Sequence, residues 1–371
     1  MTTARSLLHQ PLDQAAYKQL ALELHNQQRT RAAARCYQTC MQMGLDPGGE
    51  LMVPWAIDLL LAGDWERGWK VMDHPKLLAR RLGTDLHAQM QKVSSKPWDG
   101  NRQEVEPLLV LPEQGFGDQL QSCRFILELQ QTRPVRMLTN SALGPLLREG
   151  SGLMQVMDQP TPVQVGARWI GCMSLLRHCW KPGNPMPHAN GYITPGPDRI
   201  RYWKKELQRR RDHRLVALHW QGNPEHEKNS YYAKGRSFTF EEFKALRDCS
   251  GIEYVSVQKG KAREQLKKSI RLPFVASQDK VDETMDFRDT AAILSIADLV
   301  ITSDSAVAHL AGAIGSPCWL LLSHVPDWRW GLKGETTPWY RSMRLIRQKR
   351  PDDWKSVFRQ VAKDLMILTQ H

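Results

Sequence analysis

The first part of the chain carries apolar residues three or four positions apart, which is the spacing of one face of a helix. Turn residues at 44–47 divide residues 12–90 into two helical pairs. Gly63-Asp64 separates the two helices of the second pair, and Asp64 is suited to cap the helix that follows it. In the second pair, the helices are predicted over 51–62 and 65–78. We therefore expect an all-helical region over residues 1–95.

Beyond the polar joint at residues 96–101 the pattern changes to short apolar strands separated by helices. The strands are predicted at 108–111, 135–138, 155–157 and 168–170, with a helix at 119–130. A proline-rich loop at 181–197 ends this unit and is interpreted as a hinge. Residues 96–197 are thus predicted to form a first α/β domain.

The alternation of strands and helices is clearest in residues 198–371. The predicted strands are 215–220, 253–258, 299–303 and 318–322, and the predicted helices are 240–248, 262–268, 290–297 and 306–314. Such alternation indicates a parallel sheet with right-handed crossovers. Two α/β domains in tandem predict a cleft, with ligands beyond the carboxyl ends of the strands. A last helix, Trp354 to Leu368, is predicted to cross back onto the first α/β domain.

The chain has 371 residues, of which 41% are hydrophobic and 24% are charged, and this composition is typical of a globular protein. No apolar run reaches the roughly 18 residues of a spanning helix, and the first residues lack a signal-peptide pattern, so we expect a cytoplasmic protein. Seven cysteines without a CxxC pair fit a reducing compartment. Cys36 and Cys40 have no neighbouring His or Cys pair, so no metal is expected.

The formal net charge of +12 attracts anions to the surface. Nucleic acid, anionic lipid and nucleotide-sugar phosphates all qualify, and scattered solubilising charge is the plain alternative. Nucleic acid is disfavoured because the aromatic residues lack strand spacing. Four tryptophans predicted in loops are instead candidates for the wall of a sugar pocket: Trp220, Trp328, Trp330 and Trp339.

A glycine-bearing turn, Leu111 to Asp118, follows a predicted strand and precedes a helix. Its Gln114, Gly115 and Gly117 would let backbone approach a ligand, and the helix N-terminus favours an anion. No acidic residue follows at the dinucleotide spacing, so a nicotinamide site is not expected. Asp118 either caps the helix or acts as a general base toward an acceptor hydroxyl.

A second turn follows the apolar strand 299–303. Its small residues leave the first N–H groups of a helix uncovered, which suits a diphosphate, and Asp304 is placed to hold sugar hydroxyls. The candidate ligands are Ser303, Asp304, Ser305, Ala306, Val307 and His309. Helix capping by Asp304 or Ser305 and a buried, satisfied His309 are the structural alternatives.

A third segment, after the strand at 215–220, contains Asn223 and reaches the basic Arg236. It is a candidate phosphate lid, in which a guanidinium bridges two phosphate oxygens. The alternative is a solvated basic surface. Gln258 and Lys259 end another strand of the same sheet and are candidates for reading a base or ribose.

Together these segments resemble bacterial proteins in which tetratricopeptide repeats precede a glycosyltransferase family nine, heptosyltransferase-like domain. The stretches that carry the resemblance include PEQGFGD, ALHWQGNPEHEKN, EYVSVQKG, ADLVITSDSAVAHLAGAIGSPCWLLL and PDWRWGL. The resemblance implies a GT-B fold of two Rossmann-like domains facing a cleft, with the donor bound mainly by the C-terminal one. It places Asp118 at the catalytic base, Arg236 near the donor phosphates and residues 304–309 in the donor-binding turn.

The resemblance therefore implies a metal-independent, inverting glycosyltransferase with no cofactor besides its nucleotide-sugar substrate. The acceptor is a glycan, a lipid-linked sugar or a protein, and the helical repeats are a candidate docking surface for a protein partner. The alternative function is a non-catalytic scaffold or binding protein with a degenerate nucleotide-sugar fold.

Overall fold

The computed structural model describes residues 13–369 apart from 47, 84–95, 114, 159–166, 230, 231, 233 and 268–270. Its first part is helical as predicted: α1 (Gln14–Asn26), α2 (Thr30–Gln42), α3 (Met52–Leu61), α4 (Trp65–Met72) and α5 (Pro75–Leu82). The first four pack in sequence, each on the next, and Asp64 caps α4 as expected. The helix predicted over 65–78 is split because His74 caps a new helix that starts at Pro75.

A first parallel sheet follows. Its strands are β1 (Lys96–Pro97), β2 (Leu108–Leu111), β3 (Val135–Leu138), β4 (Val156–Met157) and β5 (Arg168–Gly171), in the order β1-β5-β2-β3-β4. The helices with it are α6 (Phe116–Leu129), α7 (Gly144–Gly150) and α8 (Ser174–Cys179). The order reverses between β2 and β5, and this reversal opens a crevice beyond their carboxyl ends.

The second sheet is also parallel, in the order β10-β9-β8-β6-β7. Its strands are β6 (Arg214–His219), β7 (Ile252–Ser256), β8 (Leu299–Ser303), β9 (Cys318–Leu322) and β10 (Met343–Arg347). The helices are α9 (Pro197–Glu206), α10 (Pro224–Asn229), α11 (Gln278–Glu283), α12 (Phe287–Ile296), α13 (Ala306–Ala313) and α14 (Trp354–Thr369). Here the strand order reverses between β6 and β8.

The predicted α/β fold with parallel sheets is confirmed, and several details differ. The segments predicted as helices at 240–248 and 262–268 form 3-10 turns, Phe240–Leu246 and Gly260–Lys267. The helices α7 to α11 and the strands β1 and β10 were not predicted. The last helix, α14, does not cross to the first sheet. Its Trp354 and Phe358 pack on Phe238, with ring centroids 4.8 and 5.0 Å away, because an apolar stripe is buried most fully against an aromatic core.

The helical region is attached to the first sheet through ionic contacts. Asp73 accepts a hydrogen bond from Ser174 at the start of α8 (2.7 Å) and pairs with Arg177 (3.1 Å). Arg81 of α5 lies 3.1 Å from the carboxylate of Glu113, which is fully buried in the crevice between β2 and β5. The helical region thus supplies the positive partner of a buried carboxylate that lies next to Gly171 at the end of β5.

The same helical region also contacts the second α/β unit. The Gln28 amide donates to the carbonyl of His324 (2.7 Å), and the hydroxyls of Tyr37 and Tyr232 are 2.6 Å apart. Trp65 packs edge-on against Trp328, with centroids 5.7 Å apart. Because the region contacts both units, it restrains their relative position.

All seven cysteines are free thiols, and burial raises the pKa of each of them. Cys36 and Cys40 of α2 are among them, with the Cys40 pKa raised to about 11. Among the described helices, none combines the length and the apolar character needed to cross a bilayer.

Candidate functional site

The reversal of strand order in the second sheet brings the ends of β6 and β8 together. His219 lies opposite Thr302 in the sheet, and its Nδ1 is 3.3 Å from the hydroxyls of both Thr302 and Ser305. Burial lowers the pKa of His219 to about 3, so the imidazole is neutral. Ser305 caps α13 by accepting from the amide of Val307 (3.3 Å), as the capping alternative predicts.

Five charged side chains form a continuous line beside this crevice, which we call the charge chain. Asp118 contacts Arg329 (2.5 Å), and Arg329 contacts Asp327 (3.0 Å). Asp327 lies 3.9 Å from Arg236, which binds Asp304 with both Nε (3.0 Å) and Nη2 (2.9 Å). The charge chain therefore runs from the first α/β unit to the donor turn predicted in the second.

The charge chain is largely removed from water. Burial raises the pKa of the Asp304 carboxyl, although Arg236 acts in the opposite direction. At Asp327 burial is outweighed by Arg329 and Arg236, which hold its pKa below the usual value. Burial also disfavours both guanidinium ions, but the adjacent carboxylates outweigh it and raise their pKa values. The two cations stay charged, and three carboxylates surround them.

Asp118 is placed by the turn that precedes it. Gly115 occupies the N-cap position of α6, so the capping alternative for Asp118 is wrong. A Cβ on Gly115 would meet Asp118 Oδ2 at 2.5 Å, so a larger residue there would displace the Asp118 carboxylate. One turn further along α6, Gln121 accepts from Arg329 Nε (2.8 Å). Gln114 lies outside the described residues.

Gly117 allows α6 to approach α13 closely. A Cβ at this position would meet His309 Cδ2 at 2.6 Å. His309 is buried, and its Nδ1 lies 2.9 Å from the hydroxyl of Tyr340. Burial is the main reason why the pKa of His309 is well below the usual value, and the positive charge of Arg329 lowers it further. His309 is thus a neutral packing residue at the contact that brings the two turns together.

We predict that Gly117→Ala destabilises the fold by about 1–3 kcal/mol, because the added methyl overpacks a rigid contact between two helices. Chemical denaturation measures the change. Gly48→Ala is the matched control, since its Cβ would meet nothing closer than 3.8 Å. Equal stability of the two variants would show that α6 and α13 can separate without cost.

The remaining predicted ligands have other contacts in the structure. The Gln258 carbonyl oxygen accepts from the amides of Trp220 (3.0 Å) and Gln221 (2.9 Å), so this side chain holds the loop after β6. The Lys259 ammonium donates to a backbone carbonyl, and burial lowers its pKa to about 8. Asn223 is exposed and accepts from the amide two residues on. The charge chain includes none of these three.

Sequence reasoning missed Asp327, Arg329 and Gln121. The PDWRWGL stretch was part of the resemblance, but the spacing of the acidic Asp327 and the basic Arg329 does not show which side chains they contact in the fold. The four tryptophans proposed as a sugar wall are buried, at 0 to 6% exposure, so that interpretation is wrong. They pack in the apolar cores because the loops that carry them fold inward. The four are Trp220, Trp328, Trp330 and Trp339.

A fully buried arginine, Arg124, links elements that pack next to the charge chain. Arg124 of α6 has no exposed surface, donates to the carbonyl of Trp339 (2.6 Å) and lies over the rings of Tyr192 (4.7 Å) and Tyr340 (4.6 Å). Arg124 therefore connects α6 to Tyr192, in the loop at 181–197, and to Tyr340, whose hydroxyl contacts His309.

Across the part of the chain that the structure describes, no three His, Cys, Asp or Glu side chains are grouped to hold a metal ion.

Two parallel sheets, with a polar cluster between the carboxyl ends of their strands, define a two-domain α/β fold of the GT-B type. The fold matches that of a family nine glycosyl transferase from Veillonella parvula, with a TM-score of 0.50, 12% identity, and coverage of 71% of this chain and 98% of that one. The ADP-heptose LPS heptosyltransferase II of Escherichia coli aligns with a TM-score of 0.48 and 12% identity over 72% of this chain and all of its own.

In sequence, the chain is 23% identical over 294 residues to the protein FlbA of Caulobacter vibrioides. The match covers 72% of this chain and 48% of FlbA, so the chain spans about half the length of the curated relative it matches. No protein-family model matches the chain.

Proposed function

We propose that this protein is a glycosyltransferase that moves a sugar from a nucleotide-diphosphate sugar to a hydroxyl-bearing acceptor. The observation that carries the proposal is the charge chain. It places a carboxylate of the first α/β unit, Asp118, in line with one buried guanidinium group, Arg329, and one partly buried group, Arg236, at the strand-order reversal of the second.

The donor diphosphate would bind at Arg236, Arg329 and the start of α13. Guanidinium groups bind phosphate oxygens in a bidentate manner, and the helix N-terminus adds a partial positive charge. These fixed positive groups can stabilise the negative charge that develops on the leaving diphosphate. We propose on this basis that transfer needs no metal ion, and that Asp304 orients Arg236 and the sugar.

In the proposed reaction the acceptor oxygen attacks the anomeric carbon from the face opposite the diphosphate. A new C–O bond forms as the bond from carbon to the diphosphate oxygen breaks, and configuration inverts. Asp118 accepts the proton of the acceptor hydroxyl, and the leaving diphosphate takes the electron pair. Arg329 contacts Asp118 at 2.5 Å, so donor phosphates that attract Arg329 would also release the Asp118 carboxylate toward the acceptor.

The acceptor in this proposal is a glycan, a lipid-linked sugar or a protein. A protein acceptor or partner would dock at the helical region, whose helices pack in sequence and reach both α/β units.

One observation favours the alternative function, a non-catalytic scaffold. Both guanidinium groups of the charge chain already pair with protein carboxylates, Arg236 with Asp304 and Arg329 with Asp118 and Asp327. In a scaffold these pairs would be permanent links between the two units. In an enzyme they must rearrange when the donor binds.

Calorimetry against UDP, GDP, ADP and dTDP distinguishes the two functions. We expect one of the four to bind with micromolar affinity, as is common for nucleotide substrates, and added nucleotide to raise the unfolding temperature. Failure of all four to bind would favour the scaffold.

A further inference from the structure

A cavity of about 430 Å³ lies in the helical region, on the face where α2 meets the turn between α3 and α4. Its size falls within the range of about 300–1,000 Å³ that ligand sites occupy. Its lining is mainly polar and carries Arg31, Arg35 and Arg67, and the buried side chain of Leu59 contributes an apolar part.

The rim of this cavity has an excess of positive charge. Its single carboxylate, Asp64, already pairs with Arg67 at 3.2 Å, and Arg67 also donates to Gln38 (2.9 Å). Among the described residues neither Arg31 nor Arg35 has a carboxylate within salt-bridge distance. Two guanidinium groups therefore face the cavity without a counter-charge from this part of the chain.

The arrangement of these arginines is unfavourable for the helix that carries them. Arg31 and Arg35 are four residues apart on α2, where like charges repel, and Arg31 lies in the first turn, beside the positive end of the helix dipole. That first turn contains no acidic residue, and the N-cap position has no side-chain hydrogen bond. An anion bound at Arg31 and Arg35 would relieve both the repulsion between them and the unfavourable position of Arg31 at the helix start.

We infer that this cavity binds an acidic peptide segment of a partner protein. The guanidinium groups of Arg31 and Arg35 would pair with Asp or Glu side chains, and Leu59 would contact their methylene groups. A peptide fits better than nucleic acid, because the lining includes no aromatic ring on which a base can stack. The inference goes beyond the proposed glycosyl transfer, since binding here needs neither donor nor turnover.

The test uses the full chain and a fluorescein-labelled peptide of alternating glutamate and alanine, with binding followed by anisotropy. We expect saturable binding that weakens as salt is added, and no binding of the matching lysine–alanine peptide. Arg31→Gln/Arg35→Gln should weaken binding about 10- to 100-fold. Lys204→Gln/Arg211→Gln removes the same charge from exposed positions elsewhere and should leave the affinity unchanged.

Stability and nucleotide binding distinguish peptide recognition at this cavity from a general effect of charge on the protein. The Arg31→Gln/Arg35→Gln variant should unfold at the same or a slightly higher denaturant concentration, because a repulsion is removed, and its nucleotide affinity should equal that of the native chain. Equal loss of peptide binding in both double variants would overturn the inference in favour of general surface charge. Tighter binding of an oligothymidine than of the peptide at this cavity, or no peptide binding by the native chain, would also overturn it.

Discussion

Asp118→Asn is expected to slow sugar transfer about 10²- to 10⁴-fold, which is the usual contribution of a general base. Asparagine has nearly the shape of aspartate and can still accept a hydrogen bond from Arg329, but it cannot take a proton from the acceptor. Arg329 also keeps its contacts with Asp327 and Gln121, so the fold should be retained. The loss is therefore expected in kcat, with the donor Kd changed less than about threefold.

The measurement pairs single-turnover transfer with calorimetry of donor binding. Asp158→Asn is the matched control, because that aspartate also pairs with an arginine, Arg148 at 3.2 Å, but lies outside the charge chain and the helical region. Full transfer by Asp118→Asn would remove Asp118 from the mechanism. A large loss of donor affinity with unchanged turnover of the bound donor would instead make Asp118 a residue that only positions Arg329.

Arg236→Met is expected to lower the free energy of unfolding by about 3–5 kcal/mol, the cost of leaving a buried carboxylate without its partner. Asp304 is 5% exposed, and Arg236 contacts it with two nitrogen atoms. The same change removes a guanidinium proposed to bind the donor diphosphate. Nucleotide affinity should therefore fall about 10- to 100-fold.

A second substitution separates these two effects. Arg236→Met/Asp304→Asn removes the unpaired charge, so most of the lost stability should return while nucleotide affinity stays low. Denaturant unfolding and calorimetry on the native chain, both single variants and the double variant provide the comparison. Recovery of nucleotide binding in the double variant would show that Arg236 serves only to neutralise Asp304.

The pH dependence of the single variant provides a further check. Without Arg236 the pKa of Asp304 should rise further above its unfolded value, because burial remains and the attraction is lost. The folded state then binds more protons than the unfolded state between those two pKa values. The stability deficit of Arg236→Met should consequently be largest at neutral pH and shrink as the pH falls through the folded pKa of Asp304.

Local sequence patterns were sufficient to predict the helices and strands that have strong apolar periodicity or clear turn residues at their ends. The strand Leu108–Leu111 and the strand Cys318–Leu322 were predicted with the bounds that the structure shows, because short apolar runs between turn residues have few other solutions. The 3-10 turn at Phe240–Leu246 was predicted as an α-helix. Its apolar spacing is helical, but the choice between the two forms depends on how Phe240 and Phe243 pack beneath Phe274 and Phe358.

By itself, the sequence determined the order of helical region and two α/β units, the parallel sheets and the turns at Asp118 and Asp304, because alternation and turn chemistry are local properties. Only the tertiary structure decided what those turns contact. Arg329 is 211 residues from Asp118 along the chain and its Nη2 is 2.5 Å from Asp118 Oδ1. Such a pair depends on how two sheets and a helical region pack around a crevice, and no spacing along the chain encodes that distance.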